Sequence, residues 1–130
     1  MGLDNGIEIK RRDDLPEVVL ALFDEEWCRK YNYDLTVAYW RKCGNVRRII
    51  FDILDVEVDN GSTTPVSREN LARIIQELEL LSLENYEDYG STIWEWEEFE
   101  SLNSRNLERM RLLYNLMEGF DLEVYFYDSL

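Results

Sequence analysis

Between Arg73 and Arg105 the chain places Glu77, Glu79, Glu84, Glu87, Asp88, Glu95, Glu97, Glu98 and Glu100 with no Lys or Arg among them. Carboxylates at this density can do three kinds of chemistry. Two that converge in a pocket can act as general acid and base, and several that converge can hold Mg²⁺ or Ca²⁺. Many that stand outward on a folded scaffold make a fixed negative field, which draws basic partners and repels nucleic acid. Here the acids follow one another in series with surface-like spacing, and no Asp-x-Asp-x-Asp-Gly loop gathers them. The outward field is the reading that the spacing favours.

The densest part is Trp94-Glu95-Trp96-Glu97-Glu98-Phe99-Glu100. On a helix Trp96 and Phe99 turn inward while Glu95 and Glu98 share a flank, so a plain account is an amphipathic first turn with acids near the positive dipole end. A sharper account makes Glu84, Glu87, Asp88, Trp94, Glu95, Glu97, Glu98 and Glu100 one partner-binding face. In it Trp94 is a rigid aromatic anchor and the acids steer toward Arg and Lys. A secondary basic patch, Arg41, Lys42, Arg47 and Arg48, either binds a phosphate or acidic partner or pairs with the chain's own carboxylates. Within Tyr39-Trp40-Arg41-Lys42-Cys43, Tyr39 and Cys43 are expected in the core and Trp40 at its edge.

Other chemistry is excluded by residue type. With no histidine, and Cys28 and Cys43 the only cysteines, neither a Cys/His zinc site nor a histidine-based triad can form. There is no glycine-rich phosphate loop, and Ser67 and Ser91 have no histidine to activate them. No cofactor and no metal are expected. The 28 acids against 14 bases give a net charge of -14, beyond the magnitude of about 2 to 8 that solubility requires. That charge opposes direct binding of nucleic acid. No apolar run approaches the roughly 18 residues of a membrane span, and Met1-Gly2-Leu3-Asp4 lacks the basic and apolar regions of a signal peptide. Gly6 stands where a myristoylation signal has Ser or Thr. The two cysteines are expected to be buried and reduced, and the cytoplasm is the expected compartment.

The elements that must position these groups follow from periodicity. Leu3, Ile7 and Ile9 alternate with polar neighbours, and Leu122, Val124 and Phe126 alternate with Glu123, Tyr125 and Tyr127, which predicts two terminal strands able to pair in one small sheet. From Pro16 the run Val18, Val19, Leu22, Phe23, Trp27 predicts a helix. Tyr39, Cys43, Val46, Ile50 and Ile53 predict a second one from Thr36 to Leu54. Asp55 to Pro65, with Asn60, Gly61, Ser62, Thr63 and Thr64, reads as a loop, with Val56 and Val58 extended before it. Ser67 caps a helix that buries Leu71, Ile74, Ile75, Leu78 and Leu81. Gly90-Ser91 breaks the chain, and Ser91 caps a last helix whose stripe is Trp96, Phe99, Leu102, Met110, Leu113 and Met117. The alternative is a bend between Asn103 and Asn106. At 130 residues the order predicts a single α+β domain over 1–130, mainly helical, with a small sheet of N- and C-terminal strands.

Met1-Gly2-Leu3-Asp4-Asn5-Gly6, Val37-Ala38-Tyr39-Trp40-Arg41-Lys42-Cys43, Gly90-Ser91-Thr92-Ile93-Trp94-Glu95-Trp96 and Phe126-Tyr127-Asp128-Ser129 together resemble a set of small phage and prophage proteins. These begin Met-Gly-Leu-Asp and carry a Tyr-Trp-Arg-Lys segment followed by a helix. The resemblance spans nearly the whole chain and implies provenance on a mobile element, with no activity attached. Where many of those proteins have a further aromatic after the Tyr-Trp-Arg-Lys segment, this chain has Gly44-Asn45, expected to loosen the helix by roughly 1 kcal/mol.

A small, acidic, histidine-free chain of this kind predicts an inhibitor, anti-CRISPR-like or directed at a restriction nuclease, that occupies the basic nucleic-acid channel of a host enzyme. Its partner would be the basic surface of a protein, not nucleic acid or a membrane. The alternatives are a non-mimetic interaction module, with Trp94 docked on a hydrophobic groove or on a second copy to give a homodimer, and a carboxylate-based enzyme or metal-binding protein. The leading expectation is a protein that binds without catalysing.

Overall fold

A computed structural model describes residues 4–56 and 63–129. Along it run β1 (Asp4–Ile9), α1 (Glu17–Phe23), α2 (Glu26–Tyr31), β2 (Leu35–Arg41), α3 (Gly44–Leu54), β3 (Thr63–Pro65), α4 (Arg68–Glu79), α5 (Trp96–Gly119) and β4 (Val124–Ser129). The expected placements of Leu3, Val58, Asn60, Gly61 and Ser62 lie outside the described residues.

The two terminal strands pair as their alternation requires. β1 and β4 run antiparallel, with Ile7 opposite Phe126 and Ile9 opposite Val124, all four buried. β2 joins the other side of β1 and β3 the other side of β4, giving an antiparallel sheet in the order β2-β1-β4-β3. Successive side chains alternate between faces, so Gly6, Glu8, Tyr125 and Tyr127 share the outer face. A Cβ on residue 6 would lie 2.4 Å from a Tyr127 ring carbon, so glycine there lets that ring lie across β1. The inner face joins Val46 and Ile50 of α3, Leu71, Ile74 and Leu78 of α4, and Phe99, Met110 and Leu113 of α5 in one apolar core. The fold is α+β.

One ion pair is sunk at the edge of that core. Arg47 of α3 donates from Nε and Nη2 to the two carboxylate oxygens of Asp128 at 2.7 and 2.8 Å, and Asn5 Nδ2 donates to the same carboxylate at 2.6 Å. The Asp128 side chain is fully buried. A charge so placed needs such partners, because the unpaired ion would keep its whole desolvation penalty.

The helix expected from Thr36 to Leu54 is instead β2 followed by α3. A bulge disguised the strand. Ile7 pairs with Ala38 but Glu8 pairs with Thr36, so Val37 is an extra residue and both Val37 and Ala38 point inward. Inward positions at 35, 37, 38 and 40 therefore break the two-residue period and imitate helical spacing. Lys42, in the left-handed region at φ 56, ends the strand and turns the chain into α3. The expected roles of Tyr39 and Trp40 are exchanged: Trp40 is fully buried, while Tyr39 is among the exposed aromatics.

The other differences are smaller. The helix from Pro16 to Trp27 divides at Asp24-Glu25 into α1 and α2, leaving Val18 and Trp27 exposed. Ser67 caps α4 as expected, accepting from the Asn70 amide at 3.1 Å. The last helix starts later than Ser91: Glu95 is its N-cap and forms a capping box with Glu98. It then runs unbroken through Asn103 and Asn106, which are buried. Asn103 Nδ2 donates to the Leu78 carbonyl at 3.0 Å, tying α5 to α4.

Side chains of α5 and of the segment before it also close the free edge of β2. Asn106 Nδ2 donates to the Tyr39 carbonyl at 2.9 Å and its Oδ1 accepts from the Tyr39 amide at 3.4 Å. Arg109 donates to the carbonyls of Val37 and Thr36 at 2.7 and 2.8 Å. Trp94 Nε1 donates to the Arg41 carbonyl at 2.8 Å. Backbone groups that a fifth strand would pair with are thus already engaged.

Candidate functional site

The acidic face begins where α4 ends. Asn85 folds back on the chain, its Oδ1 accepting from the Ser82 amide at 2.7 Å and its Nδ2 donating to the Leu80 carbonyl at 3.1 Å, the local turn chemistry that asparagine supplies. The turn is then fastened to the start of α3. Asn45, fully buried, donates to the Tyr86 carbonyl at 2.7 Å, the Gly44 amide donates to the Ser91 carbonyl at 3.0 Å, and the Thr92 hydroxyl donates to the Lys42 carbonyl at 2.9 Å. A Cβ on residue 44 would stand 2.8 Å from the Ser91 oxygen. Gly44-Asn45 therefore docks the acidic segment, a role beyond the helix loosening expected of the pair: glycine permits the close approach and asparagine fills it.

The Tyr86 ring stacks on Phe99 at 5.5 Å and lies 5.3 Å from Trp96, so the turn bearing Glu84, Glu87 and Asp88 sits against the first turn of α5, which bears Glu97, Glu98 and Glu100. Burial raises the Tyr86 phenol above its ordinary value, and the nearby Glu87 and Glu95 carboxylates raise it further. The hydroxyl itself donates to the Trp94 carbonyl at 3.4 Å. Glu84, Glu87, Asp88, Glu95, Glu97, Glu98 and Glu100 are all exposed. Among the described residues none of these seven has an ion-pair partner; the ion pairs there join Lys10, Arg11, Arg12, Arg47, Arg48, Arg68, Arg109 and Arg111 to other acids. Trp94 is half-buried, its indole N–H committed to β2, so it serves as a peg for the segment. The exposed apolar side chains nearby are Leu80, Leu83, Tyr89 and Ile93.

The basic patch is not assembled as expected. Arg41 ends β2, Lys42 is in the turn, and only Arg47 and Arg48 are on α3. Arg47 is turned inward onto Asp128, and Arg48 pairs with Asp52 at 3.3 Å, one helical turn on. Pairing with the chain's own acids, one of the two sequence readings, describes both. Cys28 and Cys43 are buried and free, and burial pushes the Cys43 thiol up to about 11.

A second surface, not anticipated from the sequence as a site, covers the outer face of the sheet. Glu8 of β1 stands opposite Tyr125 of β4; the Tyr125 hydroxyl is 2.6 Å from Glu8 Oε2 and also contacts Asp34 Oδ2. Asp34 is fixed by the Arg11 amide, which donates to its Oδ1 at 2.8 Å. Burial raises the Glu8 carboxyl above the usual range, and the Asp34 charge adds to this. Around these groups is a cavity of about 340 Å³ lined also by Trp27, Tyr33, Thr63 and Tyr127. A groove of about 710 Å³ shares Glu8, Trp27 and Tyr127 with it and reaches Tyr39, Arg105 and Arg109. The signal in the sequence was aromatic residues on the polar side of an alternating strand, Tyr125 and Tyr127; their acidic partners are too distant in the chain to be read from it.

No protein-family model, curated protein or solved structure matches the chain. No described helix is long and apolar enough to cross a membrane.

Proposed function

We propose that this chain is a protein-binding protein of phage or mobile-element type whose acidic face occupies the basic nucleic-acid channel of a host enzyme, such as a CRISPR effector or a restriction nuclease, in the host cytoplasm. The observation that carries the reading is the set of seven exposed carboxylates, without ion-pair partners among the described residues, on two stretches joined by the packing of Tyr86 against Phe99 and Trp96. Such channels follow a phosphate backbone with Lys and Arg, and carboxylates held at fixed spacing compete for the same cations. Docking through Asn45, Gly44 and Thr92 supports it as well, because a preorganised surface loses less entropy on association than a floppy acidic tail.

The test is cleavage of DNA by a panel of purified CRISPR effectors and restriction nucleases with increasing amounts of the chain. The expected result is inhibition of at least one enzyme that is relieved by competitor DNA, weakens by about tenfold or more between 50 and 200 mM salt, and vanishes in the triple variant Glu95→Lys, Glu97→Lys, Glu98→Lys. Inhibition that survives both salt and charge reversal, or none across the panel, overturns the proposal.

A further inference from the structure

The cavity on the outer sheet face has a composition that the acidic face lacks. Its walls are the rings of Trp27, Tyr33, Tyr125 and Tyr127, and its charged lining residues are Glu8 and Asp34. Trp27 and Tyr33 meet edge to face with ring centroids 6.0 Å apart, forming a corner, and both are about half exposed. The corner is held from behind. Arg11 donates from Nε to the Tyr33 carbonyl at 2.7 Å and pairs with Asp24 at 2.5 Å, while Trp27 Nε1 donates to Glu25 at 3.2 Å. Among the described residues no cation lines the cavity; Lys10 lines a neighbouring hollow and pairs with Glu123 at 3.7 Å.

The hydrogen count at its centre is short. Tyr125 has a single hydroxyl hydrogen, yet carboxylate oxygens of both Glu8 and Asp34 contact that hydroxyl. One contact can use the hydrogen; the other sets two oxygens together unless a proton or another positive group enters. Among the described residues no three Asp, Glu or Cys side chains converge as metal ligands, and a hard cation such as Ca²⁺ takes six to eight oxygens. Ring faces carry negative quadrupole density and attract cations whose surface is partly apolar, with carboxylates adding full charge.

We propose that this cavity binds an organic cation of alkylammonium or guanidinium type, seated in the corner of Trp27 and Tyr33 and neutralised by Glu8 and Asp34. The site is separate from the acidic face and does not depend on the function proposed for it. The same chemistry can arrive as a free small molecule or as the side chain of a protein, and the experiment separates these sources.

The full chain is titrated with tetramethylammonium, methylguanidinium, Gly-Arg-Gly and a tripeptide carrying trimethyllysine while the four indole N–H resonances are followed by NMR. Sodium chloride at equal ionic strength and tert-butanol, a neutral analogue, serve as controls. The expected result is a saturable shift of the Trp27 indole at about millimolar concentration, with the buried Trp40 indole unmoved as a check on folding. Tighter binding of the tripeptides identifies a protein side chain as the source, and tighter binding of the free cations a small molecule. Tyr33→Ala is expected to weaken binding about fivefold, and Glu8→Gln with Asp34→Asn about tenfold or more. Because Tyr33 is exposed, its removal leaves the core intact. Linear shifts matching those of sodium chloride, or tert-butanol binding as well as tetramethylammonium, overturn the proposal.

Discussion

Glu84 to Glu100 reach one face of the molecule from a single stretch of chain, whereas Glu8, Trp27, Asp34 and Tyr125 reach theirs from β1, α2, the turn before β2, and β4. Both places combine carboxylates with aromatic rings, but the rings have opposite duties. On the acidic face Tyr86, Trp96 and Phe99 are turned in and stacked, holding the acids out in water, where repulsion among them is screened over about 8 to 10 Å at ordinary salt. On the outer sheet face Trp27 and Tyr33 are themselves exposed, and the acids are drawn in beneath Tyr125, where desolvation makes an unshared charge costly. Exposed acids can stay charged without a partner. Partly buried ones require a proton or a counter-ion, which is why the two proposals differ in ligand: a broad basic channel for one surface and a small organic cation for the other.

Three changes to the scaffold break or sharpen that contrast. Arg47→Ala, which strands the buried Asp128 carboxylate, is expected to cost about 3 to 5 kcal/mol. It should weaken both surfaces together, since Asp128 links β4 to α3 and, through Asn5, to β1. Urea unfolding measures it, and a loss below about 1 kcal/mol would mean that the two surfaces do not share this support. Asn45→Ala leaves the Tyr86 carbonyl without its donor and is expected to cost about 1 to 3 kcal/mol. Here the contrast sharpens: hydrogen exchange should quicken for amides between Tyr86 and Trp94 while those of β1 and β4 keep their protection. Equal loosening in both places would refute a separately docked acidic segment.

The smallest effect is in pH. Partial burial, and then the bond from its hydroxyl to Asp4 at 2.7 Å, push the Tyr39 phenol up to about 12, above its unfolded value of about 10. The folded state therefore keeps a proton that the unfolded state releases. Its contribution is complete below pH 10 and is lost as pH rises toward 12. Tyr125 and Tyr127, raised by burial and by outer-face acids, add to the same loss. Tyr39→Phe should leave stability at pH 7 within about 1 kcal/mol of the parent and make the decline above pH 10 shallower. An unchanged slope in thermal melts between pH 9 and 12 would remove Tyr39 from the set.

What could be read in the sequence follows the same division between local and assembled features. The terminal strands were legible because Ile7, Ile9, Val124 and Phe126 keep a strict period of two, and α4 because Ser67 and the stripe from Leu71 to Leu78 agree. The outward acids were legible because they are neighbours in the chain. β2 was hidden by one inserted residue, Val37, and the start of α5 by a glutamate acting as cap where Ser91 was the conventional choice. Glu8 and Tyr125 meet only through strand pairing across almost the whole chain, so no local pattern could have joined them. Trp94 illustrates a further limit: residue type suggested an anchor for a partner, but the choice between partner and β2 depends on where the Arg41 carbonyl lies, which only folding fixes.

The engaged edge of β2 sets how copies of this chain can meet. With Asn106, Arg109 and Trp94 on its main-chain groups, and with β3 at the opposite margin covering Thr63–Pro65 among the described residues and ending in a residue that has no amide hydrogen, the described edges are poor templates for stacking into fibrils. Crowded molecules would have to recognise one another through side chains, and such contacts can dissociate without unzipping a backbone ladder.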